Sequence, residues 1–252
     1  MSTKNTVPQS ILVYSDMVLF GGVNTGTKPH AHHALKIILA KEYPVTVIHE
    51  GQHHTGRGLI LRSDIIHETL SHGAALFLYL NTESTIGRQF SILLQKENII
   101  SVGDEIALSM VTFFGNCMRD HYSEGEVRQY LFDAFFNHDA IYSFSPSIDS
   151  RVNAAISYIH DNLKNITTMK ELTEITCLSQ SRLFHLFKKE VGIPIRKYIL
   201  WCRIRHAIKL VVDGNSVTQS AKLSGFADVA HLTRTFVSFF GMSPSHVLKT
   251  TF

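Results

Sequence analysis

Two segments of this chain repeat one pattern, and the repeat restricts the fold more than any other feature of the sequence. CLSQSRLFHLFKKEVGIP, residues 177–194, and SGFADVAHLTRTFVSFFGMSP, residues 224–244, each place a turn before an amphipathic helical stretch that ends in glycine. They align at a constant offset of 49 residues through three matched pairs: Leu183 and Leu232, Phe187 and Phe236, Gly192 and Gly241. A short helical stretch precedes each turn. The sequence therefore predicts two helix-turn-helix units.

The rest of the second half is also helical by pattern. Capping residues such as Ser179, Ser216 and Asp228 precede apolar periodic stretches, and glycines follow several of them. These signals predict a short helix after Pro244 and longer ones over residues 148–162, 168–176, 179–190, 195–212, 216–223 and 228–240. The sequence thus predicts an all-α domain of about seven helices, in which one long helix joins the two units.

The net charge of +3 conceals a difference between the two halves of the chain. Residues 1–146 carry 10 Lys and Arg against 14 Asp and Glu, a balance of −4, whereas residues 147–252 carry 14 against 7, a balance of +7. YSFSPSIDS, residues 142–150, joins the halves with four serines and a proline, which is typical of a linker. We therefore predict two domains, residues 1–145 and 146–252, the second of which faces a polyanion.

The second helix of each unit has the side chains that reading a DNA groove requires. Such a helix packs with one face and presents the other, where Gln and Ser can bond to base edges while Arg and Lys suit phosphates. In the first unit the outward residues are Gln180, Ser181, Arg182, His185, Lys188 and Lys189. In the second unit they are Val229, Ala230, His231 and Arg234. The sequence thus predicts that double-stranded DNA is a partner.

The C-terminal part resembles the AraC/XylS-type transcription regulators over about residues 150–250. The resemblance rests on LSQSRLFHLFKKEVGIPIRKYILWCRIRHAIKLV and SVTQSAKLSGFADVAHLTRTFVSFFGMSPS, with a G-F-x-[DS]-x-[AS]-H-[FL]-x-R-x-F core and a G-x-[ST]-P ending. It implies binding to promoter DNA, contact with RNA polymerase and, usually, activation of transcription. By position it implies eight base-facing residues: Gln180, Ser181, Phe184 and His185 in the first unit, and Val229, Ala230, His231 and Arg234 in the second.

The second unit departs from the family pattern at two positions. Val229 and Ala230 are apolar where the family often has a polar side chain. Contact with a thymine methyl group, or mainly positioning on the DNA backbone, therefore fits these residues better than hydrogen-bonded base readout. Phe184 in the first unit fits either a methyl contact or simple packing.

The first domain is predicted to be β structure up to about residue 96, followed by two helices near residues 102–118 and 124–137. Short apolar runs such as HALKIILA, PVTVIHEG and ALFLYL are separated by turn residues, which is typical of a small barrel or sandwich. The overall fold class is therefore α+β. The first domain also resembles the cupin-type effector domain of many AraC-type regulators, which implies a small-molecule effector or another regulatory input.

An apolar stripe runs along the second of these helices, and it has two interpretations. Its residues lie at helical spacing: Val127, Leu131, Ala134, Phe135 and His138. The stripe fits intramolecular packing, and it also fits the seam of a homodimer formed through the two adjacent helices.

Histidines cluster in the first domain, beginning with PHAHHALKIILA. Metal sites in cupin-type barrels use an H-x-H pair, a carboxylate and a later His, and His30, His32 and His67 match the histidines of that set. The carboxylate is missing from residues 34–36, so we expect no bound metal and strand-end or surface histidines. Alternation places the polar residues of this strand, His32 and Lys36, on one face, and we expect the apolar face to line the barrel.

No motif indicates catalysis, a bound cofactor or a membrane segment. Nothing resembles a Ser-His-Asp or Cys-His arrangement, a phosphate loop or paired acid-base carboxylates. Three widely spaced cysteines and the lack of a signal peptide fit the cytoplasm. We expect a transcription regulator that is not an enzyme, with effector-binding residues that the sequence leaves unidentified. The alternative is a metal-dependent cupin enzyme fused to a DNA-binding module.

Overall fold

The computed structural model describes residues 11–23, 26–120, 122–136, 148–165 and 168–244. The chain divides into two compact units, one comprising Met1–Ser145 and Val237–Phe252 and the other comprising Pro146–Phe236. The linker predicted at residues 142–150 lies mostly outside the described residues, so the domain boundary at residue 145 stays a prediction. Among the helices in the described ranges, none combines the length and the apolar character that crossing a membrane requires.

In the described part of the first unit, the β structure forms two antiparallel sheets. The strands are β1 (Ile11–Val13), β2 (Met17–Val23), β3 (Leu35–Ala40), β4 (Val45–His49), β5 (Gln52–Gly56), β6 (Gly58–Leu61), β7 (Glu68–Leu70), β8 (Ala74–Leu80) and β9 (Ile99–Val102). The larger sheet has the order β1-β2-β8-β3-β6-β9, and the smaller one has the order β5-β4-β7.

Strand β3 occupies an interior position in the larger sheet, and all six of its residues are buried. Ile37 lies opposite Leu78 of β8 on one side and Ile60 of β6 on the other. A strand that is covered on both faces needs few polar residues, which explains the nearly continuous apolar run LKIILA. Lys36 is the exception within this run.

Three helices pack against the larger sheet: α1 (Thr85–Leu94), α2 (Asp104–Asp120) and α3 (Glu124–Phe135). Their buried side chains, including Phe90, Phe114 and Leu131, form one hydrophobic cluster with Leu35 and Ile37 of β3. The last two helices agree with the predicted ranges to within about two residues. Because Val127 and Leu131 are fully buried in this cluster, that part of the predicted stripe serves intramolecular packing.

Helix α1 lies where the sequence predicted β structure, so that part of the prediction is wrong. Ser84 caps the helix by accepting a hydrogen bond from the Gly87 amide at 3.0 Å. A Cβ atom at Gly87 would lie 1.9 Å from the Asn81 carbonyl oxygen, so this first turn requires glycine. Ile86, Phe90 and Leu94 lie at helical spacing. Because β8 ends only a few residues earlier, the change from strand spacing to helical spacing is difficult to recognise in the sequence.

The second unit is helical throughout its described length. Its helices are α4 (Ser150–Asp161), α5 (Met169–Thr176), α6 (Gln180–Val191), α7 (Ile195–Val212), α8 (Val217–Leu223) and α9 (Val229–Phe240), the last of which begins in this unit. These bounds lie within about two residues of the predicted ones, and the α+β class is confirmed. The short helix predicted after Pro244 lies outside the described residues.

Candidate nucleic-acid interface

The first helix-turn-helix consists of α5, a three-residue turn and α6. Cys177 adopts the left-handed conformation with φ 51°, and the Leu178 amide donates a hydrogen bond to the Thr173 carbonyl oxygen at 3.2 Å. Ser179 then caps α6, because its hydroxyl oxygen accepts a hydrogen bond from the Arg182 amide. The turn thereby fixes the direction in which α6 leaves α5.

Helix α6 has one buried face and one exposed face, as the sequence predicts. Leu183, Phe187 and Val191 are buried in the core of the second unit, where Phe187 packs edge-on against Tyr198 of α7. Phe184 is half-buried and packs against the same core, and the rest of its ring is exposed, so its predicted contact with a thymine methyl group stays a prediction. The six polar residues predicted to face DNA are all exposed: Gln180, Ser181, Arg182, His185, Lys188 and Lys189.

The second helix-turn-helix consists of α8, a five-residue turn and α9. Gly225 has φ 79°, and a Cβ atom there would lie 2.6 Å from the Leu163 carbonyl oxygen. Phe226 anchors the turn in two ways. Its side chain is buried, and its backbone amide donates a hydrogen bond to the Ala221 carbonyl oxygen at 3.0 Å. Asp228 caps α9 by accepting a hydrogen bond from the His231 amide at 2.6 Å.

His231 serves the turn as well as the outward face of α9. Its ring lies edge-on to the Phe226 ring, with 5.2 Å between centroids. Its Nδ1 accepts a long hydrogen bond of 3.5 Å from the Ala227 amide, which assigns the ring proton to Nε2. Because an amide can only donate, Nε2–H is the group that His231 can offer to a nucleic acid.

The remaining predicted residues of α9 lie on its outer face. Ala230 and Arg234 are exposed, and Val229 is half-exposed. Leu232 and Phe236 are buried on the opposite face. The N-terminal end of α9 is therefore less polar than that of α6.

Two arginines of α7 are withdrawn from solvent. Arg205 is only 7% exposed. Arg203 is half-buried, its Nε donates to the Leu163 carbonyl oxygen at 2.9 Å, and burial lowers the pKa of its guanidinium. In contrast, Arg196 and Lys197 in the first turn of α7 are exposed. Pro194 immediately precedes that helix as its N-cap residue.

Three histidines of the first unit are buried and not at the surface, which corrects the prediction for them: His30, His32 and His67. His30, His32 and His67 are 4%, 1% and 1% exposed, and one ring nitrogen of each lies within 4.8 Å of the others. The reason is that the polar face of β3 points to the interior: Lys36 Nζ lies 3.3 Å from His67 Nε2 and 3.3 Å from Thr69 Oγ1 of β7. The apolar face of β3 packs against the helices instead.

This interior is polar at its centre and apolar around it. Burial lowers the pKa of Lys36 to about 7 and that of His30 to about 3, and it places the pKa values of His32 and His67 well below the usual range. The three imidazoles are therefore neutral. Phe77 and Tyr79 of β8 lie beside the Lys36 ammonium group, with Nζ at 5.2 and 5.7 Å from their ring centroids.

Comparison with known families identifies the C-terminal part. Residues 172–250 match the family model described as "Helix-turn-helix domain". The chain is 31% identical over 90 residues to the probable transcriptional regulator LumQ of Photobacterium leiognathi, and 32% identical over 105 residues to the arabinose operon regulatory protein of Escherichia coli strain K12. These matches cover 35% and 41% of this chain, and they span 36% of the length of each relative.

Solved structures extend the likeness to both units. An apo variant of ToxT from Vibrio cholerae aligns with 95% of this chain and 99% of its own length at a TM-score of 0.65 and 15% identity. ToxT with a bound unsaturated fatty acid aligns with 99% of this chain and 98% of its own length at a TM-score of 0.58 and 16% identity. At these identities the likeness concerns the fold. The resemblance predicted for the C-terminal part is confirmed by the family model and the relatives.

Proposed function

We propose that this chain, whose residues 172–250 match a helix-turn-helix family model, is a transcription regulator of the AraC type that binds promoter DNA sequence-specifically through α6 and α9. The proposal rests on one observation. The turn of each helix-turn-helix leads into a helix, α6 or α9, whose apolar face is buried and whose other face is exposed. The basic balance of residues 147–252 supports a polyanionic partner.

In this proposal the two helices contribute unequally to sequence readout. Gln180 and Ser181 lie in the first turn of α6, where they can bond to base edges, and Arg182, Lys188 and Lys189 neutralise phosphates. In α9, His231 Nε2–H and Arg234 donate hydrogen bonds, while Val229 and Ala230 contact thymine methyl groups. The 18 residues of α7 span about 27 Å at about 1.5 Å per residue, which approaches the roughly 34 Å between successive major grooves on one face of DNA.

We also propose that the first unit regulates DNA binding in response to a small molecule held in its interior. The fold likeness to ToxT supports this, because that protein has been solved with an unsaturated fatty acid and with a butenoic acid derivative. The buried Lys36 gives the interior of this chain an amine whose charged form an acidic ligand would stabilise.

Activation of transcription through contact with RNA polymerase is the proposed outcome of binding. The relatives include regulators of the arabinose and raffinose operons and an activator of the lactose operon. These relatives are regulators by name, which supports a non-enzymatic role over the fused metal-dependent enzyme. We place the protein in the cytoplasm, where its three free cysteines stay reduced.

Genome-wide mapping of bound sites, followed by fluorescence anisotropy on the fragments recovered, tests DNA binding. We expect Arg182→Ala and His185→Ala to weaken binding to the preferred site by about 1–3 kcal/mol for each lost base or phosphate contact. Arg119→Ala is the matched control, because Arg119 is an exposed arginine of α2 in the first unit. Unchanged affinity in both α6 variants would reject the proposed interface.

A further inference from the structure

The three buried histidines of the first unit are held in place by the backbone. His30 and His67 face each other across an antiparallel bridge, in which each amide donates to the other carbonyl oxygen at 3.1 and 3.0 Å. His32 lies just before β3. The ring centroids are 4.3 Å apart for His30 and His67, 5.1 Å for His32 and His67, and 5.7 Å for His30 and His32. Three imidazoles from two separate segments thus share one small interior volume.

Backbone carbonyl groups select the same tautomer in all three rings. Nδ1 of His30 lies 2.8 Å from the Lys28 carbonyl oxygen, Nδ1 of His32 lies 2.8 Å from that of Ala34, and Nδ1 of His67 lies 3.1 Å from that of Ile65. A carbonyl oxygen can only accept, so each Nδ1 carries the proton and each Nε2 presents a lone pair. Histidines that bind metals commonly donate the other N–H to a carbonyl group in this way.

Among the described protein groups, no single donor forms hydrogen bonds to all three of these lone pairs. Nε2 of His30 and Nε2 of His32 are buried and have no hydrogen-bond partner, whereas Nε2 of His67 has Lys36 Nζ at 3.3 Å. Buried acceptors that face one another are costly unless a donor or a cation satisfies them.

We propose that His30, His32 and His67 bind one divalent transition-metal ion of the zinc class through their Nε2 atoms. One ring nitrogen of each histidine lies within 4.8 Å of the other two, so three such nitrogens have a common point no more than about 2.8 Å away. Zinc–nitrogen bonds of about 2.0–2.1 Å therefore require each ring to move by less than about 1 Å. Lys36 gives up its contact with His67 when the ion binds.

The ligand set also determines which ion the site accepts. Neutral imidazole suits zinc and its transition-metal neighbours, while Mg²⁺ and Ca²⁺ require oxygen ligands that these three residues do not supply. Three protein ligands leave a fourth position open to water or to an acidic group of a bound small molecule. The sequence predicted no metal because the cupin-type carboxylate is missing, but a three-histidine set does not need one.

Elemental analysis of the tag-free, full-length protein tests the site independently of DNA binding. The protein is stripped with a chelator, incubated with excess Zn²⁺ and desalted. We expect one zinc per chain, which is lost in His32→Gln and in His67→Gln. His53→Ala and His72→Ala, at exposed positions of the same unit, are the controls and retain the zinc. Absence of stoichiometric zinc from the unsubstituted protein, or its retention by both Gln variants, overturns the proposal.

A second measurement uses the unsubstituted protein, so it stands even where a Gln variant fails to fold. X-ray absorption of the zinc-loaded protein counts the imidazole ligands and measures their distances. We expect three imidazole nitrogens at about 2.0–2.1 Å. A zinc ion with two or fewer imidazole ligands contradicts the assignment to His30, His32 and His67.

Discussion

At Gly225 the turn of the second helix-turn-helix has room for a hydrogen atom and nothing larger. The residue combines φ 79° with a Cβ position that would meet the Leu163 carbonyl oxygen at 2.6 Å and Arg203 Nε at 2.8 Å. Arg203 Nε already donates a hydrogen bond to the Leu163 carbonyl oxygen at 2.9 Å. Gly214 has a similar φ of 92° but open space around its Cβ position. A comparison of Gly225 with Gly214 therefore separates the effect of the left-handed backbone from the effect of neighbouring atoms close to the Cβ position.

We expect Gly225→Ala to destabilise the second unit more than Gly214→Ala. A left-handed alanine costs about 1–2 kcal/mol at either position, and forcing an extra methyl group into a packed site adds about 1–3 kcal/mol at Gly225. Urea unfolding followed by the fluorescence of Trp201 measures the difference, since this is the chain's single tryptophan and it is fully buried in the second unit. Equal midpoints for the two variants would contradict the contact.

Among the elements, helix α2 presents apolar side chains that the core of its own unit leaves uncovered. Ile106 and Leu108 are each 39% exposed. Ile106 borders a groove of about 320 Å³ together with Tyr130 and Ala134 of α3. Val127 and Leu131 are occupied in the core, so this groove is the part of the two helices that remains for a homodimer seam, the second of the two interpretations of the stripe. We propose that two copies associate there.

Sedimentation velocity tests the association through α2 and α3. We expect the unsubstituted protein to sediment as a dimer and Ile106→Asp to sediment as a monomer, because the substitution adds a third carboxylate to a groove that Glu105 and Asp133 already line, and that carboxylate would have to be desolvated. Leu108→Asp is the matched control: Leu108 is equally exposed, but it lies about 200° away around the same helix. A monomeric unsubstituted protein, or equal effects of the two substitutions, would count against this seam.

The elements differ in how far sequence patterns predict them. Helices α4–α9 follow from apolar spacing and from caps such as Ser179, Ser216 and Asp228, because both signals are local. The interior of the first unit does not follow from them. Alternation assigns Lys36 and Ile37 to opposite faces of β3, but it cannot say which face meets the second sheet. For that reason the histidines were predicted to lie outside.

For the proposed binding to DNA, the distribution of charge between the two halves of the chain matters more than the net charge of +3. An acidic first half keeps a DNA duplex away from that part of the surface, and a basic second half attracts it. Neutralising phosphates releases counterions, so affinity for DNA falls as salt rises. The exposed lysines of α6 are the residues through which we expect this effect to act.

We expect the logarithm of the DNA association constant to fall linearly with the logarithm of salt concentration. Lys188→Ala should reduce the magnitude of the slope by about 0.9 while leaving sequence preference unchanged, since each neutralised phosphate contributes about that amount. Lys41→Ala, an exposed lysine of the first unit, is the control and should leave the slope unaltered. Fluorescence anisotropy over a salt series measures both. A slope that Lys188→Ala does not change excludes a phosphate contact at this residue.

Strand β3 has a mechanical consequence because it is buried on both faces. Lys36 faces the interior that contains the three histidines, and its neighbour Ile37 belongs to the cluster formed with α2 and α3. Two successive residues of one stiff strand cannot move independently, since the hydrogen bonds to β6 and β8 hold both. A bound molecule or ion that shifts the β3 backbone at Lys36 would therefore also shift Ile37, whose side chain packs in the cluster formed with α2 and α3.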